Sequence, residues 1–508
     1  MKWKFSILVC GLIFFLPLGV MPETEQNTLS VAIGTQPLVH MDPARTTNRQ
    51  TLVLYHNWGD TLLYRNPSTH EIVPCLAQSY RFIDPTTLEF TLRKGVLFHN
   101  QEPFTAEAVK FSLNRLKQPD SAVSGLLSAL KAIKVLDAHT LRITTALPNP
   151  TILDIVANIL FIYPPHYYQK VGPEKFDKHP IGTGPYRFVS CKRNRSITFK
   201  AFEGYFGEPK GKAKIPILQV KTRTEELLQL EELVNGTADL VRATNFYQQQ
   251  IPFMNQEARL QVKSVRTLRT CFLVMDALGR SSVAFFKDRR VRQAINHAVN
   301  KEHITCKAFN QLADPMNSVT SPLHFGHESQ VKTYAYNPNK ARALLAAAGY
   351  PEGFSVDFYA GISESAAEAI VEDLKAVGIQ ADLHWMGGQW DRFYQSFSAG
   401  EYPLALLTWG SYSIFDASAI LHPFFTTAAP GCYGTTDKVN RLLIKADQTL
   451  DQSVRKAFFS EAQKIIAREA FWVPLCTTRA VTIMNRALDF QPSVDEIDRY
   501  FTASWHNP

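Results

Sequence analysis

The sequence predicts an α/β protein, and three observations carry that expectation. Between residues 354 and 409, strand-like and helix-like stretches alternate as β-α-β-α-β, the pattern of a largely parallel sheet covered by helices. Hydrophobic residues make up 45% and charged residues 20% of the 508 residues. That ordinary globular composition excludes a largely disordered chain and, at roughly 100–200 residues per domain, allows about three domains. Beyond the N-terminus, no segment approaches the ~20 apolar residues of a membrane span.

The chain opens with MKWKFSILVCGLIFFLPLGVM. Lys2 and Lys4 form a short basic start and Phe5 to Val20 an apolar run, so residues 1–21 read as a secretory signal peptide. Leu18-Gly19-Val20-Met21 contains no small-x-small cleavage triplet, which leaves an uncleaved anchor as an alternative. Lipidation at Cys10 is a second alternative, disfavoured because Val9 stands where a small residue is wanted. The expected mature protein is exported and soluble.

Leu29–Thr35 alternates like a first strand, and Thr87–Arg93 places Leu88, Phe90 and Leu92 on one side. Thr105 is the expected N-cap of a helix carrying Val109, Leu113 and Leu116. Leu141–Thr145 is another strand, and a helix-like stretch covers 151–160. Gly182 and Gly184 in HPIGTGPYRF predict a tight turn that uses backbone conformations closed to other residues. Asp288 caps a helix with a Val291, Ile295, Ala298 and Val299 stripe. Asn337-Pro338 opens a helix that Gly349 ends. Then come a strand at 354–360, a helix at 364–377, a strand at 379–385, a helix at 391–399 and a strand at 404–409.

The net charge of +8 is not gathered into a nucleic-acid patch. The densest basic cluster, Lys287–Arg292, reads as a solvated helix start. No GxGxxG, Walker, GxSxG, HExxH or SxxK spacing occurs, so neither a catalytic set, a metal site nor a cofactor is expected. Glu225-Glu226 and Glu231-Glu232 read as a solvated helix face. Outside the signal, Cys75, Cys191, Cys271, Cys306, Cys432 and Cys476 form no CxxC. They can pair in an oxidising compartment or remain as free buried thiols.

Several motifs in order carry a resemblance. Ala77-Gln78-Ser79-Tyr80 with Asp84 and Thr87–Val96 comes first, followed by Pro103-Phe104-Thr105-Ala106-Glu107. Then come Gly182-Thr183-Gly184-Pro185-Tyr186, Asn235-Gly236 with Ala238-Asp239-Leu240, Phe286–Ala294, Tyr336-Asn337-Pro338 and Val473-Pro474-Leu475. From about residue 29 to 508 the chain resembles family 5 extracellular solute-binding proteins of ABC transporters, whose members bind oligopeptides, dipeptides, glutathione or nickel. The resemblance implies a bilobed periplasmic-binding-protein type II fold with a hinge. Its first lobe would be assembled from 28–50, 177–268 and 478–508, an extra domain would be 51–176, and the second ligand-binding lobe 269–477. It also implies a non-enzymatic, monomeric periplasmic receptor that holds an oligopeptide between its lobes and delivers it to a membrane permease. Alternatives are a nickel or other metal chelate, a glutathione-like solute or a cell-wall peptide; a secreted hydrolase is the alternative of a different class.

In the peptide-binding relatives, a Trp matching Trp409 is followed three residues later by an Asp that pairs with the ligand's ammonium. Here that position is Tyr412, and the nearest carboxylate is Asp416. Either Asp416 takes over the pairing, or Tyr412 makes a neutral or cation–π contact, or the ligand has no free N-terminus. Asp416 reads equally as a helix N-cap. Trp390 matches a second pocket tryptophan. The relatives' cationic positions are Phe397 and Leu406 here, and Gly410 stands where some carry a cysteine, so their disulfide does not carry over and Cys271 can bond elsewhere or stay free. The implied ligand-binding residues are Trp409, Gly410, Tyr412, Asp416 and Trp390.

Overall fold

The computed structural model describes residues 27–34, 40–46, 49–192, 195–223, 225–243, 251–310 and 312–506. The expected signal peptide and Cys10 lie outside the described residues, as does the side chain of Glu226.

One large sheet organises the chain. Its strands are β1 (Thr28–Ile33), β2 (Tyr186–Lys192), β3 (Ser196–Ala201), β4 (Ile217–Thr222), β5 (Leu240–Ala243), β6 (Leu260–Met275), β7 (Ala313–Pro315), β8 (Phe354–Ala360), β9 (Ile379–Trp385), β10 (Leu404–Trp409) and β11 (Trp472–Asn485). The order is β9-β8-β10-β6-β11-β5-β1-β4-β3-β2, with β7 added on β11. Two long antiparallel strands, β6 and β11, belong to both halves. Their register is irregular between Arg266 and Thr270, so residues 267–269 bulge where the halves meet. A bulge bends a strand and locally strengthens its twist.

The second lobe carries β9-β8-β10 on the C-terminal end of β6. β8 is parallel to both β9 and β10, as the alternation predicts, but β10 pairs antiparallel with β6. Leu404 and Leu406 face one apolar cluster, and Ala405 and Leu407 the other. Burial on both faces explains why this strand reads as a continuous apolar run instead of alternating. The helix between β8 and β9, Glu364–Lys375, is capped by the Ser363 hydroxyl and followed by Gly378 at φ +94°.

The first lobe places β1 parallel between β4 and β5. A separate four-stranded antiparallel sheet is built from Ala77–Asp84, Thr87–Leu92, Thr140–Thr145 and Leu130–Asp137. Its Phe90 and Ile143 nonetheless join Val31, Phe199, Met484 and Phe501 in one continuous core. This sheet therefore shares one hydrophobic core with strands β1 and β3 of the large sheet.

Two local expectations need correction. Thr105 sits at the N-cap position of helix Ala106–Leu116, but its hydroxyl caps nothing, and only its carbonyl accepts, from the Ala108 and Val109 amides. Gly182 and Gly184 do not use positive φ. They are needed because their backbone lies against Trp58, where added Cβ atoms would come within 2.4 and 2.5 Å of its backbone. Asp288 and Asn337 do cap their helices, accepting from the Arg290 and Lys340 amides at 2.8 and 2.9 Å.

Candidate functional site

β10 delivers the chain from the second lobe to the boundary between the lobes. After Trp409 and Gly410 it makes one tight turn, Ser411–Ser413, before helix Ser418–Phe425. Ser411 and Ser413 have φ of +56° and +61°, and Glu496, on the facing segment of the first lobe, has φ of +59°. Left-handed backbone at non-glycine residues costs of order 1–3 kcal/mol each and persists only where the surroundings enforce it.

Those surroundings come from both lobes. His324 Nδ1 accepts from the Ser321 amide at 3.1 Å, so its Nε2 carries the proton and donates to Ser411 Oγ at 2.8 Å. Burial lowers the His324 pKa to about 4, consistent with a neutral ring. From the first lobe, Asn158 Nδ2 donates to the Ser413 carbonyl at 3.0 Å, and Ser413 Oγ donates to the Asp495 carbonyl at 3.0 Å. The Phe415 amide donates to Asp154 at 3.4 Å, and the Arg65 guanidinium, paired with Asp154, lies 4.4 Å over the Phe415 ring. Beside these contacts is a cavity of about 20 Å³, the size of one water, bounded by Leu52, Val123, Asn158, Ile159, Ser413 and Ile497.

A group of four charges lies beside Gly410. Arg269, in the bulge of β6, pairs with Glu496 through Nε–Oε1 at 3.3 Å and Nη2–Oε2 at 3.0 Å. Arg242 pairs with Asp498 at 3.0 Å and lies 3.7 Å from Glu496. A Cβ on Gly410 would fall 2.8 Å from Arg269 Nη2, so the small residue lets β10 pass this group closely. The Arg269 and Glu496 side chains are 26% and 13% exposed, mostly buried but not sealed from solvent.

The five expected binding residues are placed differently from one another. Trp409 is 8% exposed, and its Nε1 donates to the Ala419 carbonyl at 2.9 Å while its ring meets Phe424 edge-on. Trp390 is 37% exposed and stacks on Phe393 and Tyr394, the latter also stacking on Trp409. The Tyr412 side chain lies outside the described residues. Asp416 is 5% exposed and held bidentately by Arg455, with Nη2–Oδ1 at 2.8 Å, and its Oδ1 also accepts from the Ser418 amide at 2.9 Å. The helix's N-cap residue is Ala417, so Asp416 lies one residue before it and its carboxylate anchors Arg455 and the Ser418 amide. Gly410 borders the Arg269–Glu496 pair. Phe397 and Leu406 are wholly buried in the second-lobe cores.

Sequence reasoning missed Arg269, Glu496, His324 and Asn158. The run Asp495-Glu496-Ile497-Asp498-Arg499 was the available signal, since so dense a mixture of both charges near the C-terminus needs partners. Among the described residues, Asp357, Asp382 and His384 are close enough to share a metal ion, but they lie on the outer strands β8 and β9, away from the seam.

The model of bacterial extracellular solute-binding proteins, family 5 Middle, matches residues 71–431. The chain belongs to that family. This family 5 solute-binding protein is 26% identical to Heme-binding protein A of Haemophilus influenzae over 80% of its own length and 79% of the relative's. It is also 26% identical to the Glutathione-binding protein GsiB of Salmonella choleraesuis over 93% of each chain. Among solved structures it matches the periplasmic binding protein DppA of Helicobacter pylori in complex with the peptide STSA. That match has a TM-score of 0.81 and 26% identity and covers 94% of this chain and 98% of that one. The fold is therefore the bilobed type II binding-protein fold, with β6 and β11 the two long strands that pair in both halves of the large sheet.

Proposed function

We propose that this protein is the exported receptor of an ABC importer, and that it captures a short peptide or a peptide-like zwitterion between its lobes and presents it to a membrane permease. The observation that carries this reading is the Arg269–Glu496 pair beside Gly410. It offers one charge of each sign at a partly exposed boundary, the chemistry that matches a ligand with a free ammonium and a free carboxylate. Glu496 then has the ammonium-pairing role first considered for Asp416, whose carboxylate is committed to Arg455. Trp390, exposed at the start of its helix, supplies a flat apolar surface for a ligand side chain. Hinge closure around the ligand is the working motion. The protein acts by stoichiometric binding as a monomer, with the ligand left chemically intact.

The resemblance to the glutathione-binding protein over nearly the whole chain supports a second cargo of the same charge class, a glutathione-like peptide. Thermal unfolding with a panel of free, N-acetylated and C-amidated short peptides tests the proposal. Free peptides should raise the Tm in a saturable way, and blocking either end should remove the shift. No shift from any free peptide or from glutathione would sink it. Mass spectrometry of solute that co-purifies with the exported protein distinguishes the two cargoes.

A further inference from the structure

Cys271 on β6 and Cys476 on β11 stand directly opposite each other in the antiparallel register. Opposed residues of such a pair have Cα atoms about 4.5 or 5.5 Å apart, and both distances fall within the roughly 4.4–6.8 Å that a disulfide spans. The two side chains also lie on the same face of the sheet, because both belong to the core cluster containing Leu273, Met275 and Leu475. They are wholly buried. A hydrogen bond from one thiol to the other, together with burial, pushes the Cys476 thiol well above its usual range. The sulfurs are therefore already within reach of each other.

Among the described residues, the other cysteines lack this arrangement. Cys75 turns toward Asp60, Cys191 and Cys306 are exposed on separate elements, and Cys432 sits in a loop. None of them faces a cysteine across a strand pair.

We infer that Cys271 and Cys476 form a disulfide in the exported protein, joining the two hinge strands at the second-lobe edge of the bulge. The reaction is thiol–disulfide exchange with a disulfide-bearing oxidant of the exported compartment. The two cysteines together lose two hydrogens and gain the S–S bond, while the oxidant's disulfide is reduced to two thiols. The bond forms before the core closes, because once folded both thiols are buried away from any oxidant. Thr270 and Cys271 follow the bulge immediately, so the crosslink fixes the second-lobe end of the crossing pair and leaves 267–269 as the bending element.

The test uses the wild-type protein recovered from an oxidising compartment, denatured and alkylated without reductant, then digested. The expected product is a Cys271 peptide linked to a Cys476 peptide, two hydrogens lighter than the sum of the thiol forms, with the other mature-chain cysteines alkylated. Recovery of Cys271 and Cys476 as alkylated thiols, or of either joined to another cysteine, overturns the inference. A second reading compares Tm with and without reductant. Reduction should lower it in the wild type and leave the Cys271→Ser, Cys476→Ser double variant unchanged; an unmoved wild-type Tm would also overturn the inference.

Discussion

Two carboxylates flank the loop that leaves β10, and their surroundings differ. Asp416 and Arg455 are almost fully buried, and each has further partners: Ser418 for the acid and the Ala446 carbonyl for the guanidinium. Glu496 faces Arg269 across the seam, with both side chains partly open and Arg242 also near. Both pairs are bidentate, so geometry alone does not separate them. Burial does. A fully desolvated pair is a structural unit, and removing one member strands a charge, whereas a partly exposed pair can exchange its partner for a ligand.

Arg455→Ala should have the largest effect. It strands Asp416 and should cost about 3–5 kcal/mol of stability, measured by denaturant unfolding. Weakened ligand binding with stability unchanged would reverse the assignment of the two pairs. Acid comes next. His324 has a folded-state pKa of about 4, below the ordinary 6.5, because burial disfavours its charged form. Between those values the unfolded chain binds more protons. Stability is therefore full above pH 6.5 and is lost as pH falls toward 4, by on the order of 3 kcal/mol. His99, buried in the first lobe, is lowered to about 4 for the same reason and adds a loss of the same sign. Stability measured across this range in His324→Gln should fall less steeply with acid than in wild type, and a slope equal to wild type would deny His324 its place at the seam.

Glu496→Gln should weaken binding of free-amine peptides by about 2 kcal/mol while changing stability by less than about 1 kcal/mol, read by calorimetry and urea unfolding. N-acetylated peptides should not distinguish this variant from wild type. Gly410→Ala is the mildest probe. Its Cβ displaces Arg269 and should cost about 1 kcal/mol in affinity for peptides with a free carboxylate, with little change for amidated ones.

The second lobe's strands were legible almost residue by residue, because Ile379–Trp385 alternates apolar and polar residues and Leu404–Trp409 is an apolar run, both bounded by clear stops. Caps at Asp288 and Asn337 were equally readable, being contacts made within three residues. The seam was not. Arg269, Glu496, His324 and Asn158 come from four distant stretches and act only through partners that folding brings together. Asp416 illustrates the same limit. Its side chain looked available because Arg455, its partner, lies on another helix. Gly182 and Gly184 were recognised as necessary, but the reason was Trp58, far away in the chain.

The sharing of β11 between lobes also bears on synthesis. β1, β4 and β5 can pair once the first half of the chain exists, but Leu240 on β5 waits for Met484 on β11. Until then one edge of the growing sheet is unpaired, with its row of N–H and C=O groups open to any other strand. Contacts so distant in sequence also form slowly. β11, the last strand of the large sheet, is thus the step that closes an aggregation-prone edge, and a chain cut short before Trp472 would leave that edge exposed.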